Sequence, residues 1–257
     1  MLLVVDVGNT NTVLGLYRDE QLLGHWRLKT ERERTADEYG ILVRTLFQLA
    51  ALGEVRVTDL VVSSVVPPVR PALEEMSERY FGLKPLFIEP TMDLGMPVRY
   101  SPPSDVGADR IVNAAAAYAK FGGPVIVVDF GTATTFDAIS GAGEYLGGVI
   151  APGIGISAEA LFLRAARLPR VEIRRTARVI GNSTVASIQS GLYWGYAGLV
   201  DGILRRMKQE LPKPYVVSTG GLAELISPAS AEIDSVQRNL TLEGMRLLFE
   251  RLRRGGQ

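Results

Sequence analysis

A run of four apolar residues, an aspartate and a glycine-led polar turn occurs twice along the chain. The first copy is Leu2-Leu3-Val4-Val5-Asp6-Val7-Gly8-Asn9-Thr10-Asn11-Thr12, and the second is Val125-Ile126-Val127-Val128-Asp129-Phe130-Gly131-Thr132-Ala133-Thr134-Thr135. Unbroken apolar runs bounded by turn residues predict strands buried on both faces. After the first copy, Val13 to Tyr17 and Leu22 to Leu28 flank polar Arg18-Asp19-Glu20-Gln21, which predicts a hairpin. Thr35-Ala36-Asp37-Glu38 has the spacing of a capping box before helical periodicity over Tyr39 to Leu52. A buried strand over Leu60 to Val65 and a helix over Val69 to Tyr80 follow.

The second half repeats the order. Val125 to Val128 predicts a strand, Thr135 to Ile139 and Tyr145 to Ile150 a hairpin, and Ser157 to Ala166 a helix. Thr184 to Met207 carries a long helical pattern, Tyr215 to Ser218 a strand, and Leu242 to Leu252 a closing amphipathic helix. The expected class is α/β, two similar halves fused without a linker, at residues 1–119 and 120–257, with strands feeding one cleft.

Composition narrows the partners. The chain of 257 residues is 47% apolar and 22% charged, enough to bury a full core. Its formal net charge of zero gives no general electrostatic reason to expect nucleic acid or an anionic membrane. Without cysteine there is no thiolate nucleophile, thiolate metal site or disulfide. No secretory signal or bilayer-length apolar run is evident, so a cytoplasmic location is expected.

The turns suggest phosphate chemistry. Asp6 can meet Mg²⁺, Gly8 lets a phosphate approach the backbone, and Asn9, Thr10 and the turn amides are donors. One such copy is matched by an ordinary strand-to-turn junction; two aligned copies favour the nucleotide reading. Asp129 at its buried strand end needs a cation or several donors to offset desolvation, and either would serve. Thr132, Thr134 and Thr135 add hydroxyls. Gly147-Gly148 through Pro152-Gly153 runs into a helix N-terminus, and Gly220-Gly221 after a strand suits a flat adenine, although both are also common loop compositions. Asp109 starts a helix beside Arg110 after the proline-stiffened Arg99 to Val106 loop, so it reads as a general base next to a substrate-anchoring cation, or as a simple helix-start acid. His25, the only histidine, sits in the first hairpin, which leaves base chemistry to a carboxylate.

Taken in order, Asp6 to Thr10, Gly107-Ala108-Asp109-Arg110, Asp129 to Thr135, Gly147 to Gly153 and Thr219-Gly220-Gly221 resemble type III pantothenate kinases over essentially the whole chain. The resemblance implies a duplicated actin-like, ribonuclease H-like kinase fold with ATP in a cleft between the halves. It implies transfer of the γ-phosphoryl of ATP to pantothenate, giving 4′-phosphopantothenate, the first step of coenzyme A synthesis. It further implies that the stretch Asp6, Val7, Gly8, Asn9, Thr10, Asn11, Thr12 and Val13 binds phosphate and Mg²⁺, with Thr132, Gly220 and Gly221 completing the ATP site. Asp109 is the implied proton acceptor, and Asp129 the holder of a monovalent cation, K⁺ or NH4⁺. Tyr100, Gly107, Ala108, Arg110 and Thr184 are the implied pantothenate contacts, with Thr184 supplied by the second chain of a homodimer. The helix face Leu192, Tyr193, Trp194, Tyr196 and Leu199 is the expected dimer surface, unless it packs into its own domain. A sugar or carboxylate kinase on the same fold, or an ATP-binding accessory protein in transcriptional control, are the competing readings.

Overall fold

The computed structural model describes residues 1–52 and 55–255. Two compact units emerge, one formed by Met1–Ala116 with the chain from Leu240 onward, the other by Ala117–Asn239. The closing helix, expected in the second half, thus belongs with the first unit. No described helix is long and apolar enough to cross a membrane.

In the first unit, β1 (Leu2–Val7), β2 (Asn11–Arg18), β3 (Gln21–Lys29), β4 (Asp59–Ser64) and β5 (Leu86–Phe87) form a sheet in the order β3-β2-β1-β4-β5. β1 is central, antiparallel to β2 and parallel to β4, which explains why Leu2 to Val5 are apolar without alternation. Helix α1 (Ala36–Leu49) begins at the expected capping box: the Thr35 hydroxyl accepts from the Glu38 amide, and Glu38 accepts from the Thr35 amide at 2.8 Å. Helix α2 (Arg70–Phe81) ends on left-handed Gly82. Tyr39, Val43, Leu73 and Met76 from these helices meet Leu3, Val5, Leu14 and Leu16 in one apolar cluster.

Helix α3 (Ala108–Phe121) contains the boundary between the units. The second unit repeats the sheet with β6 (Val125–Phe130), β7 (Ala133–Ile139), β8 (Tyr145–Pro152), β9 (Tyr215–Thr219) and β10 (Ser235–Val236), in the order β10-β9-β6-β7-β8. Helix α4 (Ile154–Arg164) begins three residues before the expected Ser157, capped only by the backbone of Gly153. Helix α5 (Thr184–Glu210) starts at Ser183, whose hydroxyl accepts from the Ala186 amide.

The face of α5 expected to meet a second chain lies instead in the core of its own unit. Leu192, Tyr193 and Tyr196 are 4%, 2% and 8% exposed, and Trp194 and Leu199 pack against the same cluster of Ile126, Val128, Phe136 and Val216. Aromatic residues at helical spacing were correctly read as an apolar face and wrongly assigned a partner; the sheet of the same unit covers it. Short α6 (Ala223–Ile226) precedes β10, and α7 (Leu240–Gly255) packs on β1, β2 and β4 of the first unit. There Gly244 is required, because a Cβ would stand 2.3 Å from the Val112 carbonyl oxygen.

Candidate functional site

In the first unit, β1 carries Asp6 to the sheet edge, partly buried and in register with Val13 on β2 and Ser63 on β4. The turn closes where the Gly8 amide donates to the Asn11 carbonyl at 3.0 Å, and it leaves Asn9, Thr10 and Asn11 exposed. Thr12 departs from expectation: it is fully buried, and its hydroxyl bonds the Thr30 hydroxyl at 2.9 Å. Val13 is half-buried in β2. Thr30, just past β3, was not singled out in the sequence, since a threonine between Lys29 and Glu31 carries no local signal.

Asp109 occupies the first turn of α3, where its Oδ1 accepts from the Arg110 amide at 2.8 Å. Gly107 makes this possible, since a Cβ there would stand 2.5 Å from Asp109 Oδ1. Burial pushes the Asp109 carboxyl above the usual carboxylate range, opposed by the Arg110 amide and the Arg110 charge. A carboxyl with elevated basicity suits proton acceptance. Arg110 is 7% exposed and Ala108 is buried beside it, whereas Tyr100 is half-buried in the preceding loop. Asn113, one helical turn on, accepts from the Thr241 hydroxyl at 2.7 Å and so ties α3 to α7. His25 is exposed on β3, consistent with a surface role.

In the second unit, Asp129 lies in register with Thr135 on β7 and Thr219 on β9. Paired residues on neighbouring strands project to the same face, so the carboxylate is flanked by a threonine on either side. Gly220 adopts φ +94, and a Cβ there would stand 2.4 Å from Asp129 Oδ1. Both requirements select glycine. The Thr135 hydroxyl donates to Asp137 at 3.3 Å, and the Tyr145 hydroxyl donates to the same carboxylate at 2.7 Å. Thr132 and Gly221 are exposed. The backbone of Thr132 rests on the α4 N-terminus, where Gly153 approaches so closely that a Cβ would lie 2.0 Å from the Thr132 carbonyl oxygen. Amides at a helix start beside a small-residue turn form a favourable surface for an anion.

The two turns are not equal. Val7 pairs with Thr12 across residues 8–11, but Phe130 pairs with Thr134 across residues 131–133, so the second turn is one residue shorter. By position in the sheet, Thr12 therefore corresponds to Thr134 and not to Thr135. Thr134 is also fully buried, and its hydroxyl has no aligned partner. Its expected role as a phosphate donor is thereby corrected: the side chain points into the unit. Thr184, the first residue of α5, is exposed at a groove of ≈ 670 Å³ shared with Leu161, Leu168, Ile188 and Gly191. Leu163 and Ile180 are 65% and 88% exposed in this unit.

A family model described as type III pantothenate kinase matches residues 2–206. The type III pantothenate kinase of Koribacter versatilis (strain Ellin345) is 56% identical, covering 98% of this chain and 96% of that protein. The type III pantothenate kinase of Anaeromyxobacter sp. (strain Fw109-5) is 59% identical, covering 98% and 100%. Among solved structures, a ROK family glucokinase from Streptomyces griseus in complex with glucose and AMPPNP aligns at a TM-score of 0.57 and 13% identity, covering 98% of this chain and 100% of that one. At that identity the likeness concerns the fold, which is the duplicated actin-like α/β fold that the family resemblance implied.

Proposed function

Because the chain belongs to the type III pantothenate kinase family, we propose roles for its residues in phosphorylating pantothenate from ATP. The enzyme makes 4′-phosphopantothenate, the first step of coenzyme A synthesis, and the accessory transcriptional reading is not favoured. Asp109 accepts the proton of the pantothenate hydroxyl as that oxygen attacks the γ-phosphorus of ATP, and ADP leaves. The observation that carries this role is the place of Asp109, half-buried in the first turn of α3 beside buried Arg110, where desolvation raises the proton affinity of its carboxyl. Arg110, with Tyr100, Gly107 and Ala108, anchors the anionic acceptor, which places its hydroxyl for in-line attack.

Asp6 and the exposed Asn9-Thr10-Asn11 turn hold phosphate, while Thr132, Gly220 and Gly221 serve the nucleotide from the second unit. Among the described residues no three His, Asp or Glu side chains gather into a metal site. A divalent ion carried on the phosphates of ATP would meet the carboxylate of Asp6. Mg²⁺ held there would neutralise phosphate charge. Asp129, flanked by Thr135 and Thr219, presents oxygen donors suited to K⁺ or NH4⁺.

The working unit of this proposal is a cytoplasmic homodimer in which Thr184 of one chain completes the acceptor site of the other. The exposed apolar Leu161, Leu163 and Ile180 and the groove at Thr184 support it, replacing the buried α5 stripe as its physical basis. An ADP-release assay comparing pantothenate with sugars and acetate, with and without potassium, tests the acceptor and the ion together. ADP release dependent on a sugar and not on pantothenate would overturn the reading.

A further inference from the structure

Thr30 touches the first turn at two points. Its amide donates to the Thr10 carbonyl at 3.0 Å, and its hydroxyl donates to the Gly8 carbonyl at 2.7 Å. The hydroxyl has one proton, and that proton is committed to Gly8. In the 2.9 Å contact between the two threonine hydroxyls, Thr12 must therefore be the donor and Thr30 the acceptor. The result is a directed relay from the Thr12 hydroxyl to the Thr30 hydroxyl to the Gly8 carbonyl, with Thr12 fully buried and Thr30 8% exposed.

The relay has a geometric consequence for the turn. A trans peptide is planar, so its C=O and the following N–H point in opposite directions. Fixing the Gly8 carbonyl toward Thr30 aims the Asn9 amide the other way, and fixing the Thr10 carbonyl does the same for the Asn11 amide. Those residues are the exposed ones. We propose that Thr30 is a positioning residue for ATP: from beneath the turn it locks two peptide planes so that their N–H groups face the phosphates. The inference rests on the reading that this turn grips phosphate. Aligned donors that need no reorganisation favour the bound anion, whereas a turn free to rotate its peptides must be ordered each time.

Thr30→Val keeps the shape and the backbone amide bond but leaves the partly buried Gly8 carbonyl without its hydroxyl donor. The KM for ATP is expected to rise about tenfold, equivalent to ~1.4 kcal/mol, with the KM for pantothenate within about twofold of wild type. Thr30→Ser retains the donor and is expected to restore ATP affinity. If Thr30→Val does not fold, Thr12→Val provides the readout, with a smaller rise confined to ATP. An unchanged ATP KM in the folded variants, an equal rise for both substrates, or a serine variant as impaired as the valine one would overturn the proposal. Asn9→Pro, which removes the aimed backbone amide itself, separates the two levels of inference. If it leaves ATP binding intact, the phosphate-turn reading fails; if it weakens ATP binding while Thr30→Val does not, only the positioning role fails.

Discussion

Gly153 stands so close to the Thr132 carbonyl oxygen that any Cβ at that position would lie 2.0 Å away. The same residue caps α4 through its backbone. Gly153→Ala must therefore push the second turn away from the helix start. A loss of about 1–3 kcal/mol in urea unfolding is expected, the usual cost of overpacking, together with a weaker ATP KM. Wild-type stability in this variant would show that the turn has slack.

Asp109→Asn is expected to lower turnover by roughly two to four orders of magnitude, the range for a general base, while ATP binding measured by calorimetry is preserved. Turnover near the wild-type level would remove Asp109 from the proton-accepting role.

The raised pKa of Asp109 also fixes two pH trends. Its folded pKa lies above its unfolded one, so the folded chain holds the proton more tightly. The stability this contributes is complete below the unfolded pKa and is lost as pH rises through the folded pKa. At neutral pH, Asp109→Asn should accordingly melt at a higher temperature than wild type, a difference that disappears on acidification below the ordinary aspartate range. The acid limb of kcat/KM for the wild type should fall above that range. A limb at the ordinary carboxylate pKa would contradict the assignment.

Asp6→Ala and Asp129→Ala should separate two ions. The first is expected to raise the Mg²⁺ requirement or abolish activity, and the second to remove the response to potassium or ammonium. Wild-type rates that are equal in sodium-only and potassium buffers would sink the monovalent assignment.

Mixing Asp109→Asn with Thr184→Arg, after each is shown to dimerise, tests the shared acceptor site. Heterodimers carry both lesions in one site and neither in the other, so activity should partly return. Subunit exchange without rescue, or a monomer at assay concentration, would exclude sharing.

What could be read from the chain was what local chemistry specifies. Four apolar residues before Asp6 and before Asp129 signal buried strands, and Thr35 with Glu38 signals a helix start; both are properties of neighbouring residues. The one-residue difference between the turns was hidden, because an ungapped match aligns Thr12 with Thr135 whereas strand pairing aligns it with Thr134. Thr30 was hidden for the same reason, since its partners Gly8 and Thr12 lie across a hairpin. Its counterpart in the second sheet is Gly153, which has no hydroxyl to offer, and this accounts for the Thr134 hydroxyl lacking a partner. The α5 stripe was legible as apolar, but periodicity does not say which surface covers it.

The first unit is assembled from the two ends of the chain, with the second unit inserted between them. A ribosome makes β1 before the second unit and α7 after it, yet α7 covers β1, β2 and β4, and its Gly244 abuts the carbonyl of Val112. The first sheet therefore waits, with that apolar surface uncovered, until the inserted unit has been synthesised. The nascent chain can complete its second unit before its first, and the acceptor helix α3 reaches its final packing only when α7 has emerged.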